Sequence, residues 1–313
     1  MRRPASYPRP NFIDPNDLRL VQIIRSRGSA QPRSVNILGI PYDGAVLGRK
    51  GAAGGPAAIR QAVSGFSNYN FELDVGLEGG RVFDLGDVVV DSEDVQVAHG
   101  NVEEEVSALV RKDSLLVILG GDNSVTLPSL KACSKSLGKL GLIVVDSHLD
   151  LRGKIKGKPT SGSSYGLAVE NNFVAHGNVV EVGIHGFLNS KTYVKKAKRL
   201  GISLIAANEV SRRGAKTVAS DAYDCASKGA DAVYLSMDLD AVDISQVSGV
   251  SAPSVGGISA QHFLDLAYEL AKRPKVKCID LVELAPNLDP TGGTSRVAAT
   301  ALTYAVAGFL NRS

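Results

Sequence analysis

Along this chain, short apolar runs alternate with longer stretches whose apolar residues recur at helical spacing. The runs are rich in Val, Ile and Leu and carry few polar interruptions, which fits strands buried on both faces. They predict strands over Val35–Ile40, Val82–Leu85, Leu115–Leu119, Leu142–Val145, Val179–Val182, Ser203–Ala206, Val233–Ser236 and Lys277–Leu281. Between them, the periodicity predicts helices over Gly55–Val63, Gln96–Arg111, Val125–Leu137, Ala215–Lys228, Ala260–Ala271 and Arg296–Leu310. Such alternation implies a single three-layer α/β/α domain with a mostly parallel sheet of about eight strands. Residues 34–313 read as that domain, without linker, repeat or low-complexity segment. Residues 1–33 are rich in Pro and Arg, with one short helical pattern around Asn16–Ile24. They read as an extension that packs on the surface or against a neighbouring subunit.

Composition narrows the class. A chain of 313 residues with 44% hydrophobic content and 33 glycines suits a compact α/β enzyme. A formal charge of +3 is too near neutral to argue for a nucleic-acid partner. No apolar run reaches membrane-spanning length and no hydrophobic signal core follows Met1. Cys133, Cys225 and Cys278 are widely spaced, odd in number and form no zinc motif. The expected compartment is therefore the reducing cytoplasm.

The candidate chemistry gathers where strands end. The run Gly141–Val145 leads into Asp146-Ser147-His148-Leu149-Asp150, and side chains at every second position of an extended segment point one way. A second run ends in Ser236-Met237-Asp238-Leu239-Asp240, placing two more carboxylates on one side. Either acid run alone is most simply a turn former or helix cap. Together they would repel one another unless something cationic holds them. Oxygen donors mixed with one imidazole suit manganese better than calcium, which rarely takes imidazole, or structural zinc, which prefers thiolates. A third strand ends in Gly120-Gly121-Asp122-Asn123-Ser124, and a fourth in Asp280-Leu281-Val282-Glu283, whose Glu283 is a candidate partner for a cationic substrate group.

These segments, in this order, resemble the ureohydrolase family of binuclear manganese hydrolases, which includes arginase, agmatinase and formimidoylglutamase. The resemblance runs from about residue 36 to near the end of the chain. Asp146–Asp150 looks like the family's Asp-Ala-His-x-Asp signature, and Ser236–Asp243 like its Ser-x-Asp-x-Asp-x-x-Asp signature. The family implies an arginase-like fold, two Mn2+ ions and a homo-oligomer, usually a trimer or hexamer. By that resemblance Asp146 and Asp238 would bridge the ions, His148 and Asp240 would complete one site, and Asp150 would help complete the other. Hydroxide formed between the ions would attack a trigonal amidino carbon. Glu283 would pair with the amidinium, and Asp150 would relay a proton to the leaving nitrogen.

The chain departs from the family at one position, because Asn123 stands where members usually carry histidine. A neutral amide oxygen is the weaker donor, so the metal site near Asn123 is expected to be the labile one. The substrate reading follows local features: Asp150-Leu151-Arg152, Ser161-Gly162, Gly48–Pro56 and Gly249–Pro253 look more like formimidoylglutamase than agmatinase. Arg152 with Lys154, Lys156 and Lys158 would also favour a substrate tail with carboxylates, unless that loop is merely a solvated basic face. Arg152, Ser161, Tyr165 and Glu283 are the expected substrate contacts. Formimidoylglutamate leads, with agmatine or another guanidino acid as the alternative. A metal-poor, non-catalytic binding homologue is the competing reading of another class, and a zinc deacetylase-like hydrolase is a third.

Overall fold

Alternation within the strands builds two separate cores. On the strand Leu115–Leu119, Leu115, Val117 and Leu119 belong to one buried cluster and Leu116 and Ile118 to the other. On Leu140–Val145 the same split divides Ile143 and Val145 from Leu142 and Val144. Each face of the sheet therefore needs its own layer of helices. The computed structural model describes residues 1–8 and 14–312.

Eight main strands form the sheet: β1 (Val35–Gly39), β2 (Val82–Val88), β3 (Leu115–Leu119), β4 (Leu140–Val145), β5 (Val179–Ile184), β6 (Ser203–Ala206), β7 (Ala232–Asp238) and β8 (Val276–Val282). All are parallel, in the order β2-β1-β3-β8-β7-β4-β5-β6. The helices are α1 (Gly55–Val63), α2 (Val95–Leu109), α3 (Thr126–Leu137), α4 (Ser164–Glu170), α5 (Lys191–Arg199), α6 (Ala207–Arg213), α7 (Ala215–Ser227), α8 (Ala260–Ala271) and α9 (Gly293–Leu310). Residues of α1, α6, α7, α8 and α9 pack on one face, and residues of α2, α3, α4 and α5 on the other. This is the three-layer arrangement expected from the pattern.

Two details go beyond that expectation. The N-terminal segment adds two short strands to the edge strand β2, Arg2–Arg3 antiparallel and Arg25–Ser26 parallel, which brings the sheet to ten strands. Covering an open edge in this way blocks pairing with other chains. The helical pattern seen around Asn16–Ile24 is a single turn, Leu20–Ile23. Of the expected extension, residues 9–13 lie outside the described residues. The other detail concerns α4, α5 and α6, which the apolar pattern did not announce. α5 is a surface helix with Ala197 as its one buried residue, so it carries too thin an apolar stripe to be read.

The strand order positions the site. β7 and β8, late in the chain, lie between β3 and β4, so connections leave the sheet centre in opposite directions. Such a switch point leaves a crevice at the carboxyl ends of the strands. The register is even there: Met237 pairs with Val145, Asp238 with Val282, and Leu281 with Leu119. Four adjacent strands therefore end at one level, each followed by a polar segment.

Candidate metal centre and substrate cavity

That level end brings the sequence candidates together. Asp146 follows β4, and Asp238 closes β7 beside it. Asp146, His148 and Asp240 offer donor atoms that all lie within 4.8 Å of one another. His148 Nδ1 sits 3.0 Å from Asp240 Oδ2 and 3.6 Å from Asp146 Oδ1. Two local turns and one contact between strand ends fix the carboxylates: the His148 N–H donates to Asp146 Oδ1 at 2.6 Å, the Asp240 N–H to Asp238 Oδ1 at 2.8 Å, and across the strands the Ser147 hydroxyl donates to Asp240 Oδ1 at 2.7 Å. The third acid of the second motif, Asp243, turns away and caps its own loop, accepting from Ser245 and Gly256.

The other half of the site comes from β3 and β8. Gly121 passes so close to Tyr42 that a Cβ there would lie 1.7 Å from the Tyr42 carbonyl oxygen, so only glycine permits the turn. That turn delivers Asn123, whose N–H donates to Glu283 Oε1 at 2.7 Å and whose side-chain Nδ2 lies 2.6 Å from Asp150 Oδ2. Asn123 Oδ1 lies 3.0 Å from the Thr126 hydroxyl oxygen and 3.2 Å from that of Tyr165. Glu283 and Asp150 both adopt positive φ, +69° and +42°. Non-glycine residues held there store roughly 1–3 kcal/mol of strain each, which is concentrated at functional sites.

Burial and mutual repulsion set the charge state. Burial, then Asp240 and Asp150, push the Asp146 carboxyl well above its usual range, and burial with Asp240 and Asp146 does the same to Asp238. Burial, then Asp122, raises Glu283 well above its usual range, and burial raises Asp150 to about 6. His148 is the exception: burial opposes its charge, but Asp240 and Asp146 outweigh that and hold its pKa at about 12. Carboxylates so raised either retain protons or need a cation, and the one imidazolium cannot neutralise all of them. An oxygen-rich donor set with one imidazole fits divalent manganese.

A cavity of about 240 Å³ opens over these groups, lined among others by His148, Asp150, Asp238, Asp240 and Glu283, with Arg152, Ser161 and Ser251 at its sides. Inside, Glu283 Oε2 is buried and has no hydrogen-bond partner among the described residues. Arg152 lies at the exposed rim with its guanidinium 5.6 Å from the Tyr193 ring, and Ser161 Oγ accepts the Leu47 N–H at 3.1 Å. Tyr165 requires a correction as a substrate contact. It is fully buried, outside the lining of the cavity, and its hydroxyl reaches Asp146 Oδ2 at 3.3 Å and Ser236 Oγ at 3.2 Å from beneath. In that position the hydroxyl contacts the carboxylate bed and not the cavity.

Two further groups escaped the sequence reading. Asp280, in the middle of β8, is fully buried and accepts from the Thr126, Tyr234 and Ser236 hydroxyls and the Met237 N–H. Glu181 on β5 is also fully buried, and both its carboxylate oxygens lack partners among the described residues. A polar residue in an otherwise apolar strand was the available signal for each, but it does not say which way the side chain faces.

A model of the Arginase family matches residues 33–308. The chain belongs to the arginase family. Its relatives include a formimidoylglutamase of Halobacterium salinarum, 33% identical over 306 residues and 96% of each chain. Among solved structures, the formimidoylglutamase of Bacillus subtilis superposes with a TM-score of 0.91 at 27% identity, covering 97% of this chain and 95% of that one. A Trypanosoma cruzi formiminoglutamase solved with Mn2+ gives a TM-score of 0.86 at 29% identity, covering 95% of this chain and 100% of the other. Like this arginase-family chain, each is matched over nearly its whole length. No helix among the described residues is long and apolar enough to cross a membrane.

Proposed function

We propose that this protein is a manganese-dependent hydrolase of linear amidino carbon–nitrogen bonds, with formimidoylglutamate as its substrate and glutamate and formamide as products. The observation that carries this reading is the arrangement within one cavity of three things: a bed of buried acids, a carboxylate oxygen without a partner on Glu283, and a cationic rim at Arg152. The similarity to the formimidoylglutamases of Halobacterium salinarum and Bacillus subtilis and to a formiminoglutamase solved with Mn2+ supports the same choice.

In this reading Asp146, His148, Asp150, Asp238 and Asp240 hold two Mn2+ ions, and Asn123 is the weakest donor of the set. Manganese, when bound, supplies Lewis acidity and lowers the pKa of water, so a nucleophile is available near neutral pH. The chain supplies the rest. Glu283 accepts amidinium N–H groups on its free Oε2, which holds the trigonal carbon over the acid bed. Asp150, raised to about 6, held at positive φ and lining the same cavity, is suited to pass a proton to the leaving nitrogen. Arg152 at the rim receives a carboxylate of the glutamyl tail and repels a substrate whose tail ends in an amine. 4-Guanidinobutyrate, which also carries a carboxylate, is the alternative that Arg152 favours. A homo-oligomer in the cytoplasm, trimeric or hexameric, completes the proposal. All three cysteines are free thiols.

The test offers manganese-loaded protein formimidoylglutamate, agmatine, arginine and 4-guanidinobutyrate side by side, with bound metal counted on the same sample. Formamide from the first substrate alone is expected. Urea from a guanidino substrate would retain the chemistry and discard the substrate. No turnover with at most one metal per chain would support the metal-poor binding homologue.

A further inference from the structure

The hydroxyl groups beneath the acid bed have too few hydrogens for all the contacts they make. Thr126 Oγ1 lies 2.7 Å from Asp280 Oδ2 and 3.0 Å from Asn123 Oδ1, yet carries one hydrogen. Ser236 Oγ lies 2.7 Å from Asp280 Oδ1 and 3.2 Å from the Tyr165 hydroxyl, again with one hydrogen. Asp280 receives a third hydroxyl, that of Tyr234 at 2.7 Å, and the Met237 N–H at 3.3 Å. A carboxylate with four donors around it offers none in return, so Thr126, Tyr234 and Ser236 all point their hydrogens at Asp280.

The consequence propagates toward the site. Thr126 and Ser236 are left to present lone pairs on their other sides. The single Tyr165 hydrogen then goes to Ser236 Oγ at 3.2 Å, to Asp146 Oδ2 at 3.3 Å or to Asn123 Oδ1 at 3.2 Å. In every case the Thr126 lone pair, 3.0 Å away, faces the end of the Asn123 amide placed as Oδ1, and the Tyr165 lone pair joins it at 3.2 Å whenever Tyr165 donates to Ser236 or Asp146. The amide's NH2 donates to that Thr126 lone pair and has a second hydrogen for Tyr165, whereas its oxygen would face the Thr126 oxygen with no hydrogen between them. Rotation about the last side-chain bond exchanges the two ends with almost no change in shape.

We infer that Asp280 is a positioning residue that fixes the polarity of the Asn123 amide: it draws the hydrogens of Thr126 and Ser236 to itself, so that Asn123 turns its NH2 toward Thr126 and Tyr165 and its oxygen toward the acid bed when a cation lies there. A neutral amide thereby serves as an oxygen donor at the position where the related enzymes usually carry histidine. The inference rests on the proposed manganese site.

Manganese titration calorimetry on the full-length protein, with thermal melting of every variant, provides the test. Asp280→Asn gives the hub an NH2, which donates to Thr126, turns the Thr126 hydrogen onto Asn123 and reverses the amide. The weaker manganese site should then lose ~10–100-fold in affinity, the effect typical of removing a group that orients a ligand, while the tighter site changes little. Thr126→Val should weaken the same site and Thr126→Ser should keep it; this pair decides the matter if Asp280→Asn does not fold. In an Asn123→His background, Asp280→Asn should lose its selective effect on the weaker site, since no amide remains to be turned. Unchanged affinity in Asp280→Asn, or an equal loss at both sites that follows the melting temperature, would overturn the inference and leave Asp280 a structural residue. Wild-type protein that binds no manganese would overturn the metal reading itself, and this inference with it.

Discussion

Two buried groups of acids lie in this sheet, and they are neutralised in different ways. Near the edge, Asp84 and Asp87 of β2 meet Arg60 of α1, with Arg60 Nε 2.8 Å from Asp84 Oδ2, Nη2 3.0 Å from Asp84 Oδ1 and Nη1 2.5 Å from Asp87 Oδ1. Tyr7 of the N-terminal segment adds a hydroxyl to Asp84 at 2.5 Å. Burial works against the Arg60 charge, but Asp84 and Asp87 hold its pKa above the usual range. At the centre, Asp146, Asp150, Asp238, Asp240 and Glu283 share a single imidazolium. The edge group carries its counter-charge within the fold, as a fork of guanidinium bonds that locks one geometry. The central group leaves most of its compensation to something that enters from outside. A charge excess of that kind stabilises nothing by itself, and its retention at the floor of a cavity points to function.

The largest expected effect breaks the edge group. Arg60→Met should destabilise the protein by ~3–5 kcal/mol, because Asp84 would stay buried without its partner. Denaturant unfolding would show the loss, and manganese stoichiometry at low temperature should stay unchanged. Lost metal with preserved stability would mean that the two groups are not independent.

The next effect separates the groups by pH. Asp150 is raised to about 6 and His148 to about 12 in the folded chain. For both, the folded state holds its proton more tightly than the unfolded state, so the contribution to stability is present at low pH and falls as pH rises. For Asp150 that loss spans the interval from the ordinary aspartate range to about 6, and for His148 it begins above about 6.5 and continues toward 12. Chelated protein should therefore melt at progressively lower temperature from pH 5 to pH 9, by an amount on the order of 1 kcal/mol per displaced proton and unit of pH. Added manganese should flatten the profile. Parallel profiles with and without manganese would show that no cation compensates the central acids.

The smallest effect sharpens the substrate side. Arg152→Ala should raise KM for formimidoylglutamate ~10-fold with little change in kcat, the loss of one exposed charge-assisted contact. Formamidine, which has no carboxylate, should be hydrolysed equally well by both proteins. A proportional loss on both substrates would place Arg152 in the chemistry and not at the tail.

How much of this was legible depended on whether the signal was local. Strands Leu115–Leu119 and Ser203–Ala206 and helices Gly55–Val63 and Ala260–Ala271 were read with the bounds the structure gives, because their apolar pattern is set by neighbours in sequence. The strand-end acids were legible for the same reason. Arg60 was not, because an arginine within a helix reads as a solvent-facing residue, and only the packing of α1 on β2 buries it. Asp280 and Glu181 were missed because a carboxylate within an apolar strand has no sequence partner to explain it. Tyr165 was expected at the substrate, whereas α4 buries it and sets its hydroxyl against Asp146.

The sequence by itself determined the strand and helix alternation, the two-sided burial of the sheet, and the delivery of acids at the ends of β4, β7 and β8, since each follows from periodicity and local turn chemistry. Only the tertiary structure decided which strands became neighbours. The strand order that sets β8 and β7 between β3 and β4 brings Asn123 against Asp150 and Glu283, and Thr126 against Asp280. Those contacts join residues far apart in the chain. Their geometry is fixed by the packing of whole layers, and no window of sequence contains it.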